Sequence, residues 1–325
     1  MNDNLNAIRL CLAMLVLFSH SFAVLGLPQP NFLGWDLGSH AVHAFFAVSG
    51  YLVVGSYMRR PSIVQFTINR ALRIVPALLV AYVFGHVLFA RYGQYGGNPL
   101  PFKPNNSLWT IPWEITCYAA CATAGAIGLL HRDRFNVVFA FVWMMVFVHL
   151  GAEHEAYALI VPMLLSFLTG GFIAVYEGDI SMPLATGISG FVLAGLLLDE
   201  WIGIFPKALY FVPDISKADI DTIQQWPVIV SMAFCVIYLG KHAPPRLVLR
   251  EDYSYGVYLF AWPTQQVVVA TGLSLGLALN PYSLSAAAAL LTFCLAALSW
   301  HLVEKPALKL KQRGAIGRRS LLKQD

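Results

Sequence analysis

The sequence predicts an all-α integral membrane protein with about ten transmembrane helices and both termini in the cytoplasm. Three observations predict it. Of its 325 residues, 58% are hydrophobic and only 12% charged, against about 25% charged in an ordinary soluble domain. Apolar runs of roughly 18 or more residues recur along the whole chain, the length a helix needs to cross a bilayer. The basic residues then sort to one side of those runs. Period-two alternation is not sustained anywhere, which sets aside a lipid-facing barrel.

Taken in order, the predicted spans are about 5–27, 38–58, 71–90, 107–130, 135–150, 155–176, 183–199, 226–242, 253–273 and 283–304. The first could be mistaken for a secretory signal. Its apolar run is too long for one, contains Arg9 and His20, and lacks a small-x-small cleavage site, so it is read as a retained helix. Span 135–150 is short, and 183–199 is rich in glycine. The stretch 200–225 reads as an interfacial flap between spans. With both ends inside, the 21 basic residues are cytoplasmic except for Arg91, Lys103, Lys207 and Lys217, the bias of the positive-inside rule. The whole of 1–325 is expected to form a single transmembrane domain without a soluble extension.

The five cysteines, Cys11, Cys117, Cys121, Cys235 and Cys294, all lie in apolar runs and read as small core residues. HLGAEHE at 149–155 lacks the spacing of a zinc-binding H-E-x-x-H helix, so no metal is expected. Asn105-Asn106-Ser107 is a glycosylation-type triplet with a high chance rate. Gly272 and Gly276 have the spacing of a small-xxx-small helix contact.

Ionisable groups inside a bilayer are costly and mark candidate function. In RLCLAMLVLFSH, Arg9 and His20 are 11 residues apart. On an α-helix that puts them on one face, within about 20°, and about 16 Å apart along the axis. The orientation places Arg9 near the inner surface and His20 in the outer half. His40 and His43 fall at the outer end of the second span, with Ser49 and Gly50 near its middle. Glu114 lies in the outer third of the fourth span, where Pro112 is expected to loosen the backbone. Thus His20, His43 and Glu114 share one depth. On the inner side Arg70 and Arg73, three apart on one helix face, make with Arg9 a cationic set suited to phosphate, although topology alone also puts arginines there. The aromatic run Tyr253–Tyr258 reads as interfacial packing.

Six segments in order resemble the acyltransferase-3 family of membrane-integral O-acyltransferases. They are the Arg9-x10-His20 helix, HAFFAVSGYLV at 43–53, NRALRIVPALL at 69–79, SLWTIPWEITCY at 107–118, DYSYGVYLFAWP at 252–263 and HLVEKP at 301–306. The resemblance implies transfer of an acyl group, commonly acetyl, from acyl-coenzyme A to a hydroxyl of a cell-surface or lipid-linked carbohydrate, with no metal and no nucleic acid. It implies His20 as the catalytic residue, Arg9, Arg70 and Arg73 as essential positions read here as donor contacts, and Glu114 as the acidic position after Trp113. His43, Ser49 and Trp113 are the candidate acceptor contacts. His43 departs from the pattern, since many relatives carry a different residue there. The expected location is a bacterial inner membrane, among its lipids. The rival reading from another class is a transporter or flippase for a glycolipid or organic anion, which explains intramembrane charge equally well.

Overall fold

The computed structural model describes residues 4–92, 103–131, 133–136, 138–139, 142, 155–203, 217–244 and 249–310. Among its helices are α1 (Leu5–Val24), α2 (Leu37–Arg59), α3 (Ile63–Tyr92), α4 (Ile111–Ala126), α5 (Glu155–Tyr176), α6 (Met182–Ile202), α7 (Lys217–His242), α8 (Ser254–Ser274) and α9 (Pro281–Ser299). A 3₁₀ turn, Asn106–Thr110, precedes α4, and a π turn, Trp300–Glu304, continues α9. Among the described residues five helices are long and apolar enough to cross a membrane: α1, α2, α3, α6, and α9 with its extension to Leu310. Val83 and Val87 on α3, and Phe191 and Trp201 on α6, are exposed large apolar side chains. Such surface suits lipid rather than water.

Every predicted span except 135–150, which lies largely outside the described residues, falls on a helix. The boundaries differ in an informative way. α3 begins at Ile63 and α7 at Lys217, each well before the apolar run it carries. Apolar length reports the hydrocarbon thickness, whereas a helix ends where its caps and packing end it. Much of the described part of 200–225 therefore belongs to α6 and α7 rather than to a flap.

Local chemistry fixes the other starts and stops. Asp36 caps α2 by accepting from Ser39 N–H at 2.9 Å. Asn280 and Ser283 form a capping box at α9, with Pro281 in the first turn. Pro112 sits in the first turn of α4, where a missing N–H costs nothing. It starts the helix and does not loosen a mid-span backbone. A small hairpin was absent from the sequence reading: Asn31–Phe32 pairs antiparallel with Trp35–Asp36. Its two-residue loop holds both Leu33 and Gly34 at positive φ, the backbone of a type I′ turn.

The chain groups into two compact units. The first comprises Met1–Leu12, Pro30–Pro61 and Ile111–Leu249. Here α2 runs against α5, and α7 packs on α2, α5 and α6. The α2–α5 crossing is a backbone contact: a Cβ on Gly50 would run into the Phe167 carbonyl, and one on Gly170 into that of Ala47. Gly50 therefore serves close packing. Leu5, Val48, Tyr51, Ile173, Ala233 and Ile237 fill this core. Tyr51, Glu177 and Lys241 form a hydrogen-bonded cluster beside it.

The second unit comprises Ala13–Gln29, Ser62–Thr110 and Arg250–Asp325. α8 is its centre, with α9 along one side and α3 and the 3₁₀ turn against it. Leu17, Val24, Ala261, Trp262, Val269, Leu284 and Ala288 form its core. Pro263 has no N–H for the Leu259 carbonyl one turn back. Asn105 Nδ2 donates to that oxygen at 2.7 Å. The glycosylation-type triplet thus uses its asparagine inside the fold. Tyr258 is also buried, bonded to Thr110 and the Ser107 carbonyl, and Tyr255 is buried with it, so these two tyrosines of the aromatic run serve packing. Gly276 lies past the end of α8 at φ +69°, so it makes no small-xxx-small helix pair with Gly272. Cys117 and Cys121 are buried as expected, but Cys11 and Cys294 are exposed on their helices.

Candidate active site

α1 is unbroken from Leu5 to Val24 and carries both Arg9 and His20. Arg9 belongs to the first unit and His20 to the second. His20 is half-buried and meets the Trp262 ring edge to face, centroids 5.1 Å apart at 87°. Ser19 and Ser21 flank it on α1, and they and Gln265 of α8 are polar and buried. Ser19 donates to Gln29 Oε1 at 2.7 Å. Gln265 Nε2 donates to both the Leu17 carbonyl and Ser21 Oγ at 2.7 Å, and Ser285 reaches Ser21 at 2.8 Å. α8 is thereby locked to the turn of α1 that presents the histidine.

Arg70 and Arg73 share a face of α3 but not an environment. The Arg70 guanidinium lies over Phe66, 5.7 Å from the ring centroid. Arg73 is ion-paired to Asp252, lies 3.9 Å from Glu304, and is flanked by the Tyr255 and Trp300 rings. Asp252 is further held by Ser254, and Glu304 by Ser299 at 3.2 Å. Glu304 is only 2% exposed. Outside this cluster Glu251 accepts from Lys305 and from Trp300 Nε1, both at 2.5 Å. The Lys305 bond, with help from Trp300 and against some burial, holds the Glu251 carboxyl below the ordinary carboxylate range. The segments NRALR, DYSYG and HLVEKP thus converge on one arginine. Asp252 and Glu304 were missed as site residues by the sequence reading, because their partner is far away along the chain.

In the first unit Glu114 lies in the first turn of α4, where the helix dipole favours a carboxylate. Tyr118, one turn on, donates to it, and Ser49 Oγ lies 3.3 Å from the same phenol oxygen. With the phenol proton committed to Glu114, Ser49 is the donor to Tyr118. The structure therefore brings Glu114 and Ser49 together through a residue not singled out from the sequence. The four-residue spacing of Glu114 and Tyr118 was the available signal. Trp113 beside Glu114 is half-buried. His43 is buried and lies against Trp35 of the hairpin, centroids 4.4 Å apart. His40 stacks on Phe32 and bonds its carbonyl at 2.8 Å. Among the described residues no group of three or more His, Cys, Asp or Glu is placed to hold a metal ion.

The sequence matches the acyltransferase domain profile (Acyl_transf_3) over residues 2–301. The chain belongs to this acyltransferase family. It is 31% identical to an O-acetyl transferase of Shigella phage Sf6, over 91% of this chain and 93% of that protein. It is 27% identical to Nodulation protein 10 of Rhizobium leguminosarum bv. viciae, over 95% and 94% of the two chains. No solved structure gives a significant match. As a family member this acyltransferase carries its matched region across both structural units, so His20, Arg73 and Glu114 all fall within it.

Proposed function

We propose that this acyltransferase is a ten-span inner-membrane O-acyltransferase with both termini in the cytoplasm. It moves an acyl group, acetyl by preference, from cytosolic acyl-coenzyme A to a hydroxyl of a cell-surface or lipid-linked carbohydrate. The family match supports acyl transfer, and the name of the phage relative supports oxygen as the acceptor atom and acetyl as the group. The observation that carries the residue assignment is His20, an intramembrane base set among buried polar groups on an unbroken helix.

An imidazole can take the proton of an attacking hydroxyl and return it to the leaving thiolate. That is the role proposed for His20. Glu114 is the second proposed catalytic group, its carboxylate oriented by Tyr118. Guanidinium groups pair well with phosphate. Arg9, Arg70 and Arg73 are the proposed donor contacts, with Arg73 oriented by Asp252 and Glu304. His43, Ser49 and Trp113 are proposed on the acceptor side.

The test incubates purified protein with labelled acetyl-coenzyme A and candidate glycans. Wild type should transfer label, and His20→Ala should not, while remaining folded and inserted. Near-normal transfer by His20→Ala would sink the general-base assignment. Movement of an unmodified glycolipid across vesicles, with no label transferred, would instead favour a flippase.

A further inference from the structure

Trp262 lies at the far end of DYSYGVYLFAWP from Asp252, and the proposed function leaves it without a chemical task. Two independent observations assign one. Its ring stands edge to face on His20. Its side chain is also buried, at 4% exposure, and among the described residues its indole N–H has no hydrogen-bond partner. A buried indole N–H nearly always finds an acceptor, and leaving one unmet is costly enough to need a reason.

The mismatch is not an isolated slip of packing. Gln266, one turn along on the same face of α8, is 1% exposed, and its amide oxygen is also unmatched among the described residues. Gln265 beside it bonds the turn of α1 that carries His20, so the local backbone is held in place. Asn105 likewise secures the Leu259 carbonyl below Pro263, fixing the backbone on the other side of Trp262. Thr264 Oγ1 and Gln265 Oε1 are unmatched among the described residues as well, so the unmet polar atoms gather on the stretch of α8 that carries Trp262. A preorganised donor waiting for charge that develops only during reaction has this appearance.

We propose that Trp262 donates its indole N–H to the acyl carbonyl oxygen as that oxygen becomes an oxyanion. This rests on the proposed acyl transfer from a thioester. The acceptor oxygen bonds to the carbonyl carbon, its proton passes to His20, and the carbonyl π pair moves onto oxygen, where Trp262 meets it. Collapse restores the carbonyl and breaks the C–S bond. The thiolate leaves with the proton held by His20, giving ester and thiol. Gln266 holds the polar end of the reacting group in the same niche.

The test compares wild type, His20→Ala, Trp262→Phe and a full-length chain carrying benzothienylalanine at 262, which replaces the N–H with sulfur in the same ring shape. Acetyl transfer and thermal unfolding are measured for each. Loss of one oxyanion donor should lower kcat by about 10²–10³-fold. Donor and acceptor KM should change less than about threefold, since the bond is made only in the transition state. Unfolding temperature should hold or rise in the benzothienyl chain, because an unmatched buried donor has been removed. A purely structural tryptophan would show the reverse pattern, an unchanged kcat with an unfolding temperature that follows the ring. Transfer by wild type and by the benzothienyl chain at similar kcat overturns this role and leaves the proposed function standing. If Trp262→Phe misfolds, the isosteric chain alone decides. No transfer by wild type overturns the proposed function and this role together.

Discussion

Arg73→Ala takes a guanidinium away from two carboxylates that stay behind. Asp252 is 8% exposed and Glu304 2%, so neither can recover its lost partner from bulk water. Removing one member of a buried ion pair costs about 3–5 kcal/mol, mostly the desolvation of the abandoned charge. Lost cation–π contact with the flanking Tyr255 and Trp300 rings contributes on the order of 0.5–1 kcal/mol apiece to that figure. Asp252→Ala should cost less, about 2–3 kcal/mol, because Arg73 keeps Glu304 and its own partial solvent contact. The double variant should be less damaging than the two losses summed, with a coupling of about 1–3 kcal/mol. Equilibrium unfolding of purified protein in mixed micelles, followed by circular dichroism, gives all four stabilities. Losses that add within about 0.5 kcal/mol would refute a shared buried pair. In that case Arg73 would be available for the donor alone.

Tyr118→Phe removes only the hydroxyl that bonds Glu114 and Ser49. Transfer should fall by about tenfold to a hundredfold in kcat with a displaced pH–rate profile, while stability changes by only about 1 kcal/mol; an unmoved profile would count against the Glu114 role. Glu251 supplies a pH test outside the spans. Its carboxyl is held below the ordinary range in the folded state, so its contribution is present above the unfolded pKa and is lost as pH falls through the folded one. The stability gap between wild type and Glu251→Gln should therefore be about 0.2–1 kcal/mol at pH 7, given partial exposure, and close on acidification to below about pH 4. A gap that widens in acid would reverse the sign of the argument.

The helices were legible because a bilayer writes its thickness into apolar run length. What the runs could not reveal were features made by partners far apart or by rare backbone. Leu33 at positive φ hid the hairpin, since leucine seldom marks a turn. Asp252 and Glu304 were inside quoted motifs, but only packing against α3 shows that both serve Arg73. Ser49 and Gly50, adjacent in sequence, turned out to do different things: one bonds Tyr118 and the other lets α5 approach. Arg9, Arg70 and Arg73 looked equivalent as charges, and the structure separates Arg73 from Arg70 by its surroundings. The polar niche beside His20 left no sequence signal, because an unmatched N–H is defined by what does not reach it.

The π turn at Trp300–Glu304 makes the length of its segment matter as well as its residues. There the Lys305 N–H bonds the Trp300 carbonyl, five residues back. Such a turn is an α-helix holding one residue more than it needs. Deleting one residue would let the backbone relax into ordinary α-helix with its hydrogen bonds intact. The deletion would also rotate everything beyond it by about 100°. Lys305 would leave Glu251, or Glu304 would leave Arg73, depending on which residue was lost. This segment should therefore tolerate substitution more readily than insertion or deletion. An alignment gap placed here would signal a change in the arginine's surroundings, even with every named side chain retained.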